Sequence, residues 1–142
     1  MKMKVFLAMV ALAAVGVVAM LTGCQAAKGS GESSGTASAY RQVTPQEAQA
    51  LMGSEDNYVI VDVRRPDEYA AGHVPGAINI PNESIDTDRP AELPDLDQLI
   101  LVYCRSGRRS KQASQKLADM GYTNIVEFGG INSWPGEVTT TS

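Results

Sequence analysis

Two continuous apolar runs, "YVIVDV" at 58–63 and "LILVY" at 99–103, lack the alternation of a half-exposed strand. β-branched runs of this kind predict strands buried on both faces. "NIVEF" at 124–128 predicts a further strand, and "AINI" at 77–80, between Pro75 and Pro81, a short one. Between the strands the pattern changes to helical spacing. "VTPQEAQALM" at 43–52 offers Thr44 as cap, Pro45 at the first helical position and Glu47 to complete a capping box. Its apolar face is Ala48, Leu51 and Met52, with Gly53 as the stop. A second, short helix is predicted from Pro66 to Ala71, closed by Gly72. A third runs from Arg108 to Met120, where Ala113, Leu117 and Met120 recur at spacings of four and three and Gly121 supplies a left-handed cap. Residues 82–97 are polar, contain Pro90 and Pro94, and read as loop with at most one helical turn. Glycine and tryptophan punctuate "GGINSWPGE" near the end, where the pair Gly129–Gly130 reads as a turn. Strands alternating with helices imply crossovers, hence an α/β fold: an open, mostly parallel sheet with helices on both faces.

The N-terminus stands apart from this pattern. "MKMK" is positive, Val5 to Met20 is an apolar stretch broken by Gly16, and "LTGC" follows at 21–24. This is the layout of a secretory signal, with a core shorter than the roughly 20 residues of a membrane span. "LTGC" resembles a bacterial lipobox, in which the cysteine, here Cys24, is lipidated and becomes the new N-terminus. The expected organisation is a lipoprotein signal over 1–23, the lipidated Cys24 with a flexible linker to 39, one domain over 40–138, and a frayed tail over 139–142. The linker "QAAKGSGESSGTASA" has no large apolar residue with which to order itself. The chain is then expected to be exported and held at the extracytoplasmic or periplasmic face of a bacterial membrane by its N-terminal lipid.

Without Lys2 and Lys4 the remaining chain has ten Lys and Arg against sixteen Asp and Glu, a net charge of −6. That balance argues against nonspecific nucleic-acid binding. It also isolates Arg105, Arg108, Arg109 and Lys111 as a positive island. Cysteine usage sharpens the picture, because Cys24 and Cys104 are the only two. If Cys24 carries lipid, Cys104 has no partner in the chain, and a leftover cysteine in an exported protein is either a reactive thiol or an intermolecular link.

Cys104 sits at the end of a predicted buried strand and just before a predicted helix. In open α/β sheets ligands bind at the carboxyl ends of strands. A loop entering a helix aims backbone N–H groups and the positive helix end at one spot. With Ser106 and Gly107 allowing a tight turn and three arginines nearby, "YCRSGRRS" at 103–110 is an anion-binding loop around a nucleophile, with a depressed thiol pKa.

Cysteine phosphatases carry a comparable loop with a C-x5-R signature, but here the arginine is Arg109, giving C-x4-R, and position 110 is Ser110. The shorter loop is similar to that of the rhodanese family, in which it holds a sulfane sulfur. "VDVRRPDEYAAGHVPGAINIP" at 61–81 resembles that family's first signature. "ILVYCRSGRRSKQASQKLADMGYTNIVEFGGINSW" at 100–134 resembles its second. Arg108 departs from the Asn frequent in similar loops, which adds charge. The resemblance implies a sulfurtransferase. Cys104 attacks the outer sulfur of a small anionic donor such as thiosulfate, and the resulting persulfide passes its sulfur to cyanide or a thiol acceptor, with no metal or organic cofactor. The N–H groups of Arg105, Ser106, Gly107, Arg108 and Arg109 would stabilise the persulfide anion. Two other readings stand beside it: a carrier or binding module that exchanges sulfur with a partner protein, and a phosphatase-like or arsenate-reducing enzyme, disfavoured by the loop length. The domain is expected to be a monomer.

Supporting positions follow. Asp62, flanked by Val61 and Val63, needs a partner; it or Glu68 is expected to brace Arg109, the alternative being that Asp62 caps the following turn. Arg64 either faces the pocket mouth or pairs on the surface. His73, the single histidine, is read as structural because an electropositive loop needs no base, and Trp134 as packing against the core. One histidine and one available cysteine make a metal site unexpected.

Overall fold

The computed structural model describes residues 39–141. Cys24, the apolar N-terminal stretch and most of the expected linker lie outside them. Five strands form one sheet: β1 (Arg41–Gln42), β2 (Tyr58–Asp62), β3 (Ile78–Asn79), β4 (Leu99–Cys104) and β5 (Ile125–Gly130). Their order is β1-β5-β4-β2-β3 and every pairing between them is parallel. The helices are α1 (Pro45–Ser54), α2 (Pro66–Ala71) and α3 (Arg108–Asp119).

Side chains alternate across the sheet and divide the core in two. One face gathers Val61, Val63, Ile100 and Val102 against Ala113 and Leu117 of α3, with Ile85, Leu93 and Tyr122 sealing the side. The opposite face gathers Ile60, Leu101, Tyr103, Val126 and Phe128 against Ala48 of α1, with Tyr69 of α2 and Trp134 packed around it. Helices thus cover both faces. Full burial of one such Leu or Phe stabilises by roughly 1.5–3 kcal/mol, which makes these strands the rigid base of the site.

Local chemistry sets the helix ends. Thr44 Oγ accepts from the Glu47 N–H at 3.2 Å while Glu47 accepts from the Thr44 N–H at 2.7 Å, closing the capping box. Gly53 does not stop α1, which runs on to Ser54. α3 ends in a Schellman arrangement: the Tyr122 N–H reaches the Leu117 carbonyl, the Gly121 N–H reaches that of Ala118, and Gly121 has φ 100°.

Three features differ from the sequence expectations. β1 is absent from them, because both its side chains are exposed and it joins the sheet through its backbone alone. Gly129 and Gly130 are not a free turn but belong to β5. The ladder slips one residue between Val102 and Cys104, and Gly129 takes φ 86° there, a bulge beside the nucleophile's strand end. The tail is not frayed as far as it is described: Thr139 and His73 exchange backbone hydrogen bonds at 2.8 and 2.9 Å, and the Thr141 N–H reaches Ala70.

Candidate active site

β4 delivers Cys104 to the carboxyl end of the sheet, and residues 105–107 turn there before α3 begins. Two glycines make the turn possible. Gly107 precedes the helix with φ 104°, a conformation that strains any residue with a Cβ. Gly130 lies so close beneath the loop that a Cβ would collide with the Arg105 carbonyl and come within 2.6 Å of the Ser106 nitrogen.

The Cys104 side chain is buried, and its Sγ accepts the Gly107 N–H at 3.0 Å. Burial alone pushes the thiol pKa up. Hydrogen bonding from the Ser110 hydroxyl and N–H, then from the Gly107 and Ser106 N–H groups, outweighs it and leaves the pKa lowered. The Ser110 hydroxyl has one hydrogen and several claims on it: the Glu127 carboxylate at 2.6 Å, the Gly107 carbonyl at 3.0 Å and the Gly129 carbonyl at 3.2 Å. Its shortest contact is with Glu127, so the backbone N–H groups are the dependable part of the thiolate's stabilisation.

The arginines contribute unequally. Arg108 and Arg109 line a cavity of about 420 Å³ with Cys104, Ser106, Asn82, Glu83 and Gln112. Arg105 is exposed and does not line it; its carbonyl instead accepts from the Asn132 N–H at 3.3 Å, fixing the loop to the segment after β5. Lys111 lines a separate hollow behind the loop, with Glu127. The larger hollow of about 450 Å³ beside β1 and β5 holds no nucleophile.

Glu68, on α2, holds the helix end of the loop. Its carboxylate takes Arg109 Nη1 at 2.7 Å and Nη2 at 3.0 Å, and this pairing draws the Glu68 pKa down to about 2. Asp62 does not reach Arg109. It is fully buried and takes Arg64 in a bidentate pair, with the shortest contact 2.6 Å, and it also accepts from the Arg64 N–H at 2.9 Å, a local turn contact. Arg64 therefore neither faces the pocket nor pairs on the surface; it is 5% exposed and also donates to the Gly72 carbonyl. Tyr103 completes this buried network, donating to Asp62 at 2.7 Å and accepting from the Val74 N–H at 3.0 Å. The two charges and the phenol, satisfied together, fix the end of β2 against β4 one residue before the nucleophile. His73 stacks on Tyr69 at 3.8 Å between ring centroids, and its Nδ1 lies 2.8 Å from the Tyr69 carbonyl, away from Cys104's cavity.

Glu127 is the residue that sequence reasoning missed. It is 2% exposed and ties the Ser110 hydroxyl to the Gly129 N–H, at 2.6 and 2.8 Å, from beneath the loop. A carboxylate in the otherwise apolar run "NIVEF" was the available signal.

An open parallel sheet that presents a buried cysteine thiol to a ring of N–H donors at a helix entrance defines a class of protein: an α/β domain with an anion-stabilised sulfur nucleophile. The sequence model of the rhodanese-like domain family matches residues 44–137, and the chain belongs to that family. It is 42% identical over 71 residues to the thiosulfate sulfurtransferase PspE of Escherichia coli (strain K12), covering 50% of this chain and 68% of that protein. It is 38% identical over 106 residues to the thiosulfate sulfurtransferase GlpE of Pseudomonas entomophila (strain L48), covering 70% and 93%. Among solved structures, a rhodanese with anions from E. coli matches with a TM-score of 0.55 at 38% identity, over 59% of this chain and 99% of that one.

Proposed function

We propose that this protein is a sulfurtransferase that moves a sulfane sulfur from a small anionic donor such as thiosulfate to cyanide or a thiol through a persulfide on Cys104. The observation that carries the reading is the convergence of the Gly107, Ser106 and Ser110 donors on a buried Sγ whose pKa they lower. In the first half-reaction the thiolate attacks the outer sulfur of thiosulfate, the sulfur–sulfur bond breaks and sulfite leaves with the electron pair. The terminal sulfur of the product is anionic, and the donors that favour the thiolate also face that charge. In the second half-reaction an acceptor attacks the terminal sulfur and Cys104 leaves again as a thiolate. The C-x4-R loop and the activities named for PspE and GlpE support sulfur over phosphoryl chemistry.

Thiosulfate-to-cyanide turnover, measured for the full-length chain beside Cys104→Ser, tests this. Turnover abolished by the serine variant is the expected result. A folded parent without turnover would remove thiosulfate as donor and favour the carrier reading, in which a partner protein loads and unloads Cys104. We also propose that Cys24 carries lipid and holds the domain at the outer face of a bacterial membrane, on the strength of the "LTGC" motif. Incorporation of labelled fatty acid that persists in Cys24→Ala would rule out that anchor.

A further inference from the structure

The cavity over Cys104 contains groups that the sulfur donor does not need. Glu83, in the 3-10 turn Asn82–Ser84, and Arg108, the first residue of α3, both line it, and neither belongs to an ion pair among the described residues. Asn82 lines it too. This side chain is only 8% exposed; its amide nitrogen donates to Gln112 Oε1 at 3.3 Å, while its Oδ1 has no hydrogen-bond partner. A buried carbonyl oxygen without a donor is costly unless a ligand supplies one.

Thiosulfate and cyanide have no N–H group to give Asn82, and a carboxylate at the mouth repels a dianion. Loop donors with Arg108 and Arg109 suffice for the donor, so Glu83 and the Asn82 carbonyl call for a different ligand, one with a cationic hydrogen-bond donor. Arg108 calls for an anion on the same ligand. We propose that the acceptor that discharges the Cys104 persulfide is a small zwitterionic aminothiol of the free-cysteine type, its ammonium taken by Glu83 and the Asn82 carbonyl and its carboxylate by Arg108. This rests on the persulfide chemistry proposed above. The acceptor thiolate attacks the terminal sulfur, forming a new sulfur–sulfur bond. The bond between that sulfur and Cys104 Sγ breaks and its electron pair returns to Cys104. One thiolate and one persulfide anion are consumed and one of each is produced, with no oxidant or reductant. Glu83 then serves specificity in both directions, attracting the acceptor and repelling excess donor.

The test uses the full-length chain with Cys104 preloaded as persulfide, followed by mass, and single-turnover discharge by four thiols. These are cysteine, cysteamine with the ammonium alone, 3-mercaptopropionate with the carboxylate alone, and 2-mercaptoethanol with neither. Rates are corrected for the ionised fraction of each thiol. Cysteine is expected to be fastest and mercaptoethanol slowest. Glu83→Gln is expected to slow cysteine and cysteamine by about threefold, the scale of one solvent-exposed charge contact, and to leave mercaptoethanol unchanged. The same substitution is expected to speed loading by thiosulfate, an opposite change that general damage to the fold would not give. Arg108→Gln is expected to slow cysteine and mercaptopropionate. Corrected rates equal for all four thiols, or a Glu83→Gln effect that is uniform across them, would overturn the proposal. If thiosulfate does not load the parent, the thiosulfate donor reading fails by itself, and loading with inorganic polysulfide lets the four-thiol comparison proceed unchanged. A Cys104 that neither reagent loads overturns both.

Discussion

Replacing Glu68 by Gln removes the charge that holds Arg109 while keeping the shape of the side chain. The carboxylate accepts both Arg109 amino groups and the Arg65 N–H at the start of α2, at 3.2 Å. Its pKa falls from 4.5 to about 2, with the Arg109 hydrogen bonds as the largest cause, working against partial desolvation. Taken whole, that displacement corresponds to about 3 kcal/mol. Glu68 and Arg109 keep 20% and 25% of their side-chain surface in water, however, and screening reduces the contribution to about 1 kcal/mol. The sign follows from the lowered pKa. The stabilisation is fully present above the ordinary carboxylate pKa of 4.5 and is lost as pH falls towards about 2. Urea unfolding of parent and Glu68→Gln at neutral pH should therefore differ by about 1 kcal/mol, and by roughly half of that or less near pH 3. Equal stabilities at neutral pH, or a difference that grows as the pH falls, would refute the brace.

Two further outcomes follow from the site. The alkylation rate of Cys104 by a small neutral reagent should rise with pH around a midpoint below the roughly 8.5 of a free thiol, because the loop donors lower its pKa; a midpoint at or above that value would show that burial wins. Tyr103→Phe strands the buried Val74 N–H and removes one donor from Asp62, and should cost about 1–3 kcal/mol in denaturant unfolding while leaving the Cys104 alkylation midpoint in place; a shifted midpoint would place the network inside the site.

The fold was legible where the chain's own chemistry repeats itself. "YVIVDV" and "LILVY" are continuous because both sides of their strands meet helices, and α3 shows its buried face through Ala113 and Leu117. β1 was not legible, since two exposed residues that pair only through backbone leave no hydrophobic signal. In the site, the placement of Cys104 and its loop could be read from a strand-to-helix junction rich in glycine and arginine. The partners of the charges could not. Asp62 and Arg64 lie two residues apart and meet each other, a choice set by the buried Tyr103 hydroxyl 41 residues downstream. Glu127 alternates with Val126 and Phe128 as an outward-facing residue would; only the bulge at Gly129 and the loop crossing over Gly130 bury it.

The central claim is that Cys104 carries the transferred sulfur. The most direct measurement is the intact mass of the full-length protein after brief exposure to thiosulfate and removal of the reagent, with Cys104→Ser in parallel. A gain of one sulfur in the parent, absent from the serine variant and discharged by cyanide, is the result expected. An unchanged parent mass, or a gain that survives in Cys104→Ser, would contradict it.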